Sequence, residues 1–121
     1  MAKPIGPYSP IVRAGEWLIT SGQLGLDPTA DTPTLVEGDT AAQFSQALEN
    51  GRTLLEENGA SLSDVVRTAI FLTDLGDYAA INEVYVSFFG DHRPARSAIG
   101  VASLPMGAAI EVELWAIAPK S

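Results

Sequence analysis

The chain is 121 residues long, 46% apolar and 18% charged, with fifteen acids against seven bases for a net charge of −8. A field of that sign repels phosphate backbones, and no stretch gathers Lys or Arg into the footprint that nucleic-acid binding needs. The lack of any cysteine excludes disulfides, thiol nucleophiles and Cys-ligated zinc or iron–sulfur clusters.

In chain order, the opening Met-Ala-Lys-Pro-Ile lacks the apolar core of a signal peptide, and no apolar run approaches the ~20 residues of a bilayer crossing. A cytoplasmic chain without membrane contact is the expectation. Ser9–Arg13 and Trp17–Thr20 read as two short strands around the turn Ala14-Gly15-Glu16. The second runs into Ser21-Gly22-Gln23, where Gly22 either brings backbone close to a ligand or permits a bulge. Residues 24–38, with Pro28, Pro33 and Gly38, read as a surface loop.

Thr40-Ala41-Ala42-Gln43 matches a capping box, with Thr40 as N-cap and Gln43 reaching back. Phe44, Leu48, Gly51 and Leu55 then recur at helical spacing, widened by Ala47 and Leu54, until Asn58-Gly59 stops the helix. Asp64–Leu72 is short and β-branched and reads as a central strand, nearly buried on both faces. Asp74-Leu75-Gly76-Asp77 caps a second helix in which Tyr78, Ile81, Tyr85 and Phe88 repeat and which Gly90 ends. After Pro94, Ala95–Ala102 and Ala109–Ala118 read as two strands joined by an antiparallel return through Ser103–Ala108. The order β-β-α-β-α-β-β makes one α+β domain over residues 1–121, with two helices on one face of a mixed sheet. The charged fraction is below the roughly 25% of an average protein. The apolar sheet face left uncovered therefore calls for other subunits packed around a shared, barrel-like centre.

Arg96 stands among small and apolar strand residues, where a guanidinium needs an anionic partner or a water-filled cleft. It is either a structural ion pair with Glu111 or Glu113 across the hairpin, or a forked clamp on a ligand carboxylate. Alternation in Ile110–Trp115 puts Glu111, Glu113 and Trp115 on one strand face. That face is either solvated or holds one acid in a cleft as a base or water-orienting group. His92, the lone histidine, stands in a turn and reads as solvent-exposed, and Tyr85 and Phe88 read as core. No metal-ligand spacing, nucleophile elbow or phosphate-binding glycine fingerprint occurs in the sequence.

Five phrases in one order span most of the chain: Ile5-Gly6-Pro7-Tyr8-Ser9; Ile19-Thr20-Ser21-Gly22-Gln23; Phe71-Leu72-Thr73-Asp74-Leu75; Ile81-Asn82-Glu83-Val84-Tyr85 with Phe88-Phe89; and Pro94-Ala95-Arg96-Ser97 followed by Leu104–Glu113. Together they resemble the reactive-intermediate deaminase family (Rid, YjgF or endoribonuclease L-PSP, with RidA-like members). The resemblance implies a chorismate-mutase-like fold, a homotrimer with a central barrel, and a cleft between neighbouring subunits. It implies hydrolysis of small enamine and imine carboxylates, such as 2-iminobutanoate and 2-iminopropanoate shed by pyridoxal-phosphate enzymes, to 2-keto acids and ammonia. No cofactor or metal is implied for the deaminase itself. By matching motif, Arg96 would bind the substrate carboxylate and Glu111 would hold or activate water. Tyr8 would line the cleft, the Ser21 and Gly22 backbone would add polar contacts, and Asn82 and Tyr85 would stand near it. Two departures touch this carry-over: Ala98 replaces the Cys or Thr of many members, and the segment from Gly90 to Pro94 is short for the group. Two rival readings remain beside it, a non-catalytic carboxylate sensor or chaperone-like protein and an endoribonuclease.

Overall fold

The computed structural model describes residues 4–119, so Met1–Lys3 of the N-terminal stretch read above lie outside the described residues. Strand β1 (Ile11–Ala14) turns directly into β2 (Trp17–Thr20), with Ala14 opposite Trp17. Gly15 takes φ +62°, the left-handed value that two-residue hairpin turns demand of their first residue. Arg13 then closes this end of the sheet by donating to Gly15 O, Ala118 O and Asn58 O at 3.0–3.2 Å.

Helix α1 (Thr40–Glu57) begins one residue earlier than its sequence signature indicates. Asp39, not Thr40, is the N-cap, and its carboxylate accepts from Ala42 N at 3.0 Å. An aspartate caps as well as a threonine, and here Thr40 and Gln43 have tertiary partners instead. The Thr40 hydroxyl donates to Asp77 at 2.6 Å, and Gln43 Oε1 accepts from Ala109 N at 2.9 Å. The stripe of Phe44, Ala47, Leu48, Gly51, Leu54 and Leu55 is buried as its spacing indicates.

Strand β3 (Val65–Leu72) is preceded by a 3-10 turn at Leu62–Asp64, so Asp64 closes a capping box with Ser61 rather than opening the strand. The strand is not buried on both faces: Val66 is exposed, and Arg67 and Phe71 are only partly covered. Helix α2 (Tyr78–Phe89) buries Ile81, Tyr85 and Phe89, an i, i+4 stripe that leaves Tyr78 44% exposed and Phe88 at the margin. Gly90 ends it with φ +61°.

Strands β4 (Ala95–Gly100) and β5 (Ile110–Ile117) do not form the expected hairpin. The sheet order is β1-β2-β5-β3-β4, with β4 parallel to β3 and β5 inserted antiparallel between β2 and β3. A parallel pair needs a crossover, and α2 supplies it between β3 and β4. Both helices lie on one face of the five-stranded mixed sheet, and Leu18, Phe44, Leu48, Ile70, Val112 and Leu114 fill the core between them. On the other face Val12 (51%), Trp17 (41%) and Ile99 (50%) stay exposed.

Two smaller expectations also change. Residues 24–38 are more than a surface loop: Leu24 and Leu26 are buried with Ala108 in a second small cluster, and Leu26 bridges to Leu35. His92 is not simply solvent-exposed, because its Nε2 lies 2.6 Å from Val65 O.

Candidate functional site

The geometry begins where β2 leaves β5. Ile19 is the last strand partner, opposite Trp115, and pairing resumes at Gln23 opposite Val112. Four steps on one side (19 to 23) therefore face three on the other (115 to 112), which defines a bulge at Ser21-Gly22. The buried Thr20 hydroxyl fills the gap in the ladder by accepting from Leu114 N at 3.0 Å. Gln23 and Val112 then exchange both backbone hydrogen bonds, at 2.7 and 3.0 Å.

The bulge brings Gly22 against Glu111. A Cβ on Gly22 would stand 2.6 Å from Glu111 Cδ and 2.7 Å from its Oε2, so any side chain here would push the carboxylate out of this position. Ser21 fixes the segment from its other side, its N–H donating to Pro10 O at 2.9 Å and its hydroxyl to Ser9 O at 2.6 Å. Tyr8, Ser21, Gly22 and Glu111 line one cavity of about 410 Å³, together with Gln23, Asn50 and Glu113. Burial, then the neighbouring Glu113, pushes the Glu111 carboxyl above its ordinary range. Glu113 is raised by burial too, opposed by Arg67 across the sheet on β3. A carboxyl moved upward in this way is better matched to proton exchange near neutrality.

Arg96 lies elsewhere. On β4 it is in register with Thr68 of β3, and its side chain turns toward α2. Nη2 donates to Asn82 Oδ1 at 2.6 Å, and Cζ sits 4.8 Å from the Tyr85 ring and 5.2 Å from the Tyr78 ring. Tyr85 is fixed in turn by Thr68, oxygen to oxygen at 2.9 Å, and burial raises its phenol. Arg96, Asn82, Tyr85, Tyr78 and Arg93 line a second cavity of about 290 Å³. No carboxylate pairs with Arg96 among the described residues. The ion pair with Glu111 or Glu113 considered from sequence is therefore ruled out within one chain. Both acids are on β5, with β3 between them and β4, and Glu111 opens onto the other cavity.

The candidate residues thus fall into two groups, Tyr8, Ser21, Gly22 and Glu111 in one and Asn82, Tyr85 and Arg96 in the other. Sequence reasoning missed Tyr78, which stands four residues before Asn82 and so one helical turn along the same face. It also missed Asn50, whose polarity inside an otherwise apolar helix stripe was the available signal. Ala98, two residues after Arg96 on the same strand face, packs against the core. Among the described residues no three His, Cys, Asp or Glu side chains gather to hold a metal ion, and no helix is long and apolar enough to cross a membrane.

The family model described as Endoribonuclease L-PSP matches residues 1–118. The chain belongs to the endoribonuclease L-PSP family. A RutC family protein of Pyrococcus abyssi is 46% identical over 111 residues, 92% of this chain and 86% of that protein. A Homo sapiens protein named 2-iminobutanoate/2-iminopropanoate deaminase is 41% identical over 113 residues, 93% of this chain and 81% of that one. The crystal structure of RidA from an Antarctic Psychrobacter superposes with a TM-score of 0.90 at 42% identity, covering 96% of this chain and 92% of that one. The two-helix, five-stranded architecture is thus the one solved for endoribonuclease L-PSP family relatives.

Proposed function

We propose that this family member hydrolyses small 2-imino and 2-enamino carboxylates, 2-iminobutanoate and 2-iminopropanoate among them, to 2-keto acids and ammonia. The observation that carries the reading is the Arg96 guanidinium, held by one neutral amide and two aromatic rings with no carboxylate partner among the described residues. A planar fork-shaped cation so presented matches a carboxylate ligand. The acid that would handle water, Glu111, opens onto the other cavity, so the working cleft takes Arg96, Asn82 and Tyr85 from one subunit and Glu111, Tyr8 and the Ser21-Gly22 bulge from its neighbour. A homotrimer closed by packing the apolar sheet faces of Val12, Trp17 and Ile99 around a central barrel supplies such clefts.

In that cleft Arg96 fixes the carboxylate and with it the position of the adjacent imine carbon. Glu111 accepts a proton from water as the oxygen adds to that carbon, and the nitrogen takes up a proton. The C–N bond then breaks, ammonia leaves with a further proton, and the carbonyl of the keto acid remains. Imines are reactive enough that one positioned base and one clamp are sufficient machinery.

Keto-acid release is measured with a 2-aminoacrylate-generating enzyme supplying substrate, against the spontaneous rate. The parent chain accelerates release. Glu111→Gln lowers turnover by about 10²-fold, the scale of a lost general base, while still binding 2-ketobutyrate. A parent chain that binds the keto acid without accelerating release is a carboxylate-binding protein and not a deaminase.

A further inference from the structure

We propose that Asn50 is a positioning residue for Glu111, acting through the segment Ser21–Leu26 that it holds against the sheet. The inference rests on the reading of Glu111 as the water-handling acid. Asn50 belongs to the core-facing side of α1 and is only 5% exposed. A polar side chain so deep is retained only where its hydrogen bonds are made, and here the two that it donates converge on one segment. The Asn50 amide nitrogen donates to Leu26 O at 2.9 Å and to Leu24 O at 3.3 Å. Gln46 Nε2 donates to its Oδ1 at 2.8 Å, which sets the amide so that both N–H groups face those carbonyls. An aliphatic residue of the same size would take away the Leu26 O partner and leave Leu24 O with only the Leu26 N–H, 2.8 Å away.

The held segment is thin on both sides. Gly25 lies so close to α1 that a Cβ there would be 2.5 Å from Gln43 O, and Gly22 lies equally close to the Glu111 carboxylate. Between them Gln23 is clamped to Val112 by two backbone bonds. Asn50 thereby sets how tightly Gly22 covers Glu111 and how much water reaches that carboxylate. None of the residues Ser21–Leu26 titrates, so the segment acts on Glu111 by excluding water. The charged and titratable groups nearby are Glu113 on β5, Arg67 on β3 facing Glu113, and Tyr8 in the same cavity. Asn50 itself is neutral.

The test follows the Glu111 carboxyl by carbon-13 NMR as pH is varied, a readout that needs no turnover. In Asn50→Ala the segment relaxes, Glu111 hydrates, and its titration moves down toward that of an ordinary glutamate. Its kcat falls by about 10-fold, the scale of a small misplacement of a reacting group, with a smaller change in KM. Gln46→Ala leaves Asn50 in place without its orienting partner and shifts the titration the same way by less; it carries the test if Asn50→Ala does not fold. Arg13→Ala, which loosens the far end of the sheet, lowers the melting temperature and leaves the Glu111 titration where it was. An unmoved Glu111 titration in the Asn50 and Gln46 variants, with melting lowered as in Arg13→Ala, overturns the proposal and makes Asn50 structural only. A parent chain that does not hydrolyse imines overturns the deaminase reading, whereas the NMR result decides whether Asn50 governs Glu111.

Discussion

Arg96 and Glu111 lie on opposite faces of one sheet. Arg96 is in register with Thr68 on the helix side, bonded to Asn82 of α2, whereas Glu111 is opposite Phe71 and faces away from the helices under the Gly22 bulge. A ligand that touches both side chains must therefore be held between two copies of the chain. Neither cavity alone offers both a cation and a base.

That separation predicts complementation between two impaired proteins. Arg96→Ala and Glu111→Gln, each with strongly reduced turnover alone, regain activity when denatured and refolded together. In a random mixture about a quarter of interfaces combine an intact Arg96 with a neighbour's intact Glu111, one half times one half. Imine hydrolysis by the co-refolded mixture measures this. A mixture as impaired as its parts would mean that both groups act from the same chain.

Arg96→Lys keeps the charge and loses the fork. Asn82 takes one N–H of Nη2, which leaves four guanidinium N–H groups for a ligand carboxylate, and an ammonium cannot serve both partners with the same geometry. Binding of 2-ketobutyrate weakens by about 1.5–3 kcal/mol, the range for a charged hydrogen bond. Calorimetry on the two proteins checks it, and equal affinities would put the anion site elsewhere.

The raised Glu111 carboxyl has a consequence for stability with a definite sign. Burial and Glu113 make the folded chain hold this proton more tightly than the unfolded chain does. The group's contribution is then fully present below its unfolded value and is lost as pH rises through its folded one. Glu111→Gln removes that loss, so the variant melts above the parent at neutral pH, and the two converge near about pH 4, where an ordinary glutamate protonates. Thermal melts at both pH values measure the gap. A gap independent of pH would trace to shape and not to charge.

Met106 is the only non-glycine residue with positive φ among the described residues, at φ 61° and ψ 16°. With Gly107 at φ 68° and Ala108 N donating to Pro105 O at 3.1 Å, it forms the first central position of a type I′ turn beside the Glu111 cavity. Left-handed backbone costs a side-chain-bearing residue roughly 1–2 kcal/mol, against roughly 0.5–1 for the extra freedom of glycine in the unfolded chain. Met106→Gly therefore stabilises the fold by about 0.5–1 kcal/mol, the difference between these. Urea denaturation of the two chains checks it, and a destabilised variant would mean that the Met106 side chain holds the turn.

Much of the site is legible in the residues themselves. Alternation along Ile110–Ile117 places Glu111, Glu113 and Trp115 on one face with Val112 and Leu114 buried on the other, as found. A glycine after β2 marks the bulge, and within the chain the group it approaches so closely is Glu111. The N-cap read at Thr40 is one residue late, since Asp39 beside it is equally capable; Asp39 caps the helix while Thr40 bonds to Asp77, thirty-seven residues away.

What the sequence by itself determined is local: where strands and helices begin and end to within a residue or two, which side of α1 and of β5 is apolar, and that an arginine among small and apolar strand residues needs an anionic partner or a water-filled cleft. Those follow from periodicity and turn chemistry, which act over a few residues. Only the tertiary structure decided that β5 enters between β2 and β3, which cancels the β4–β5 hairpin and sends Arg96 and Glu111 to different cavities. Strand neighbours are chosen by how the two helices and the sheet bury their apolar faces together. That choice is collective: the same alternating strand reads identically beside any partner, and the faces it offers become a cleft only once its neighbours are set.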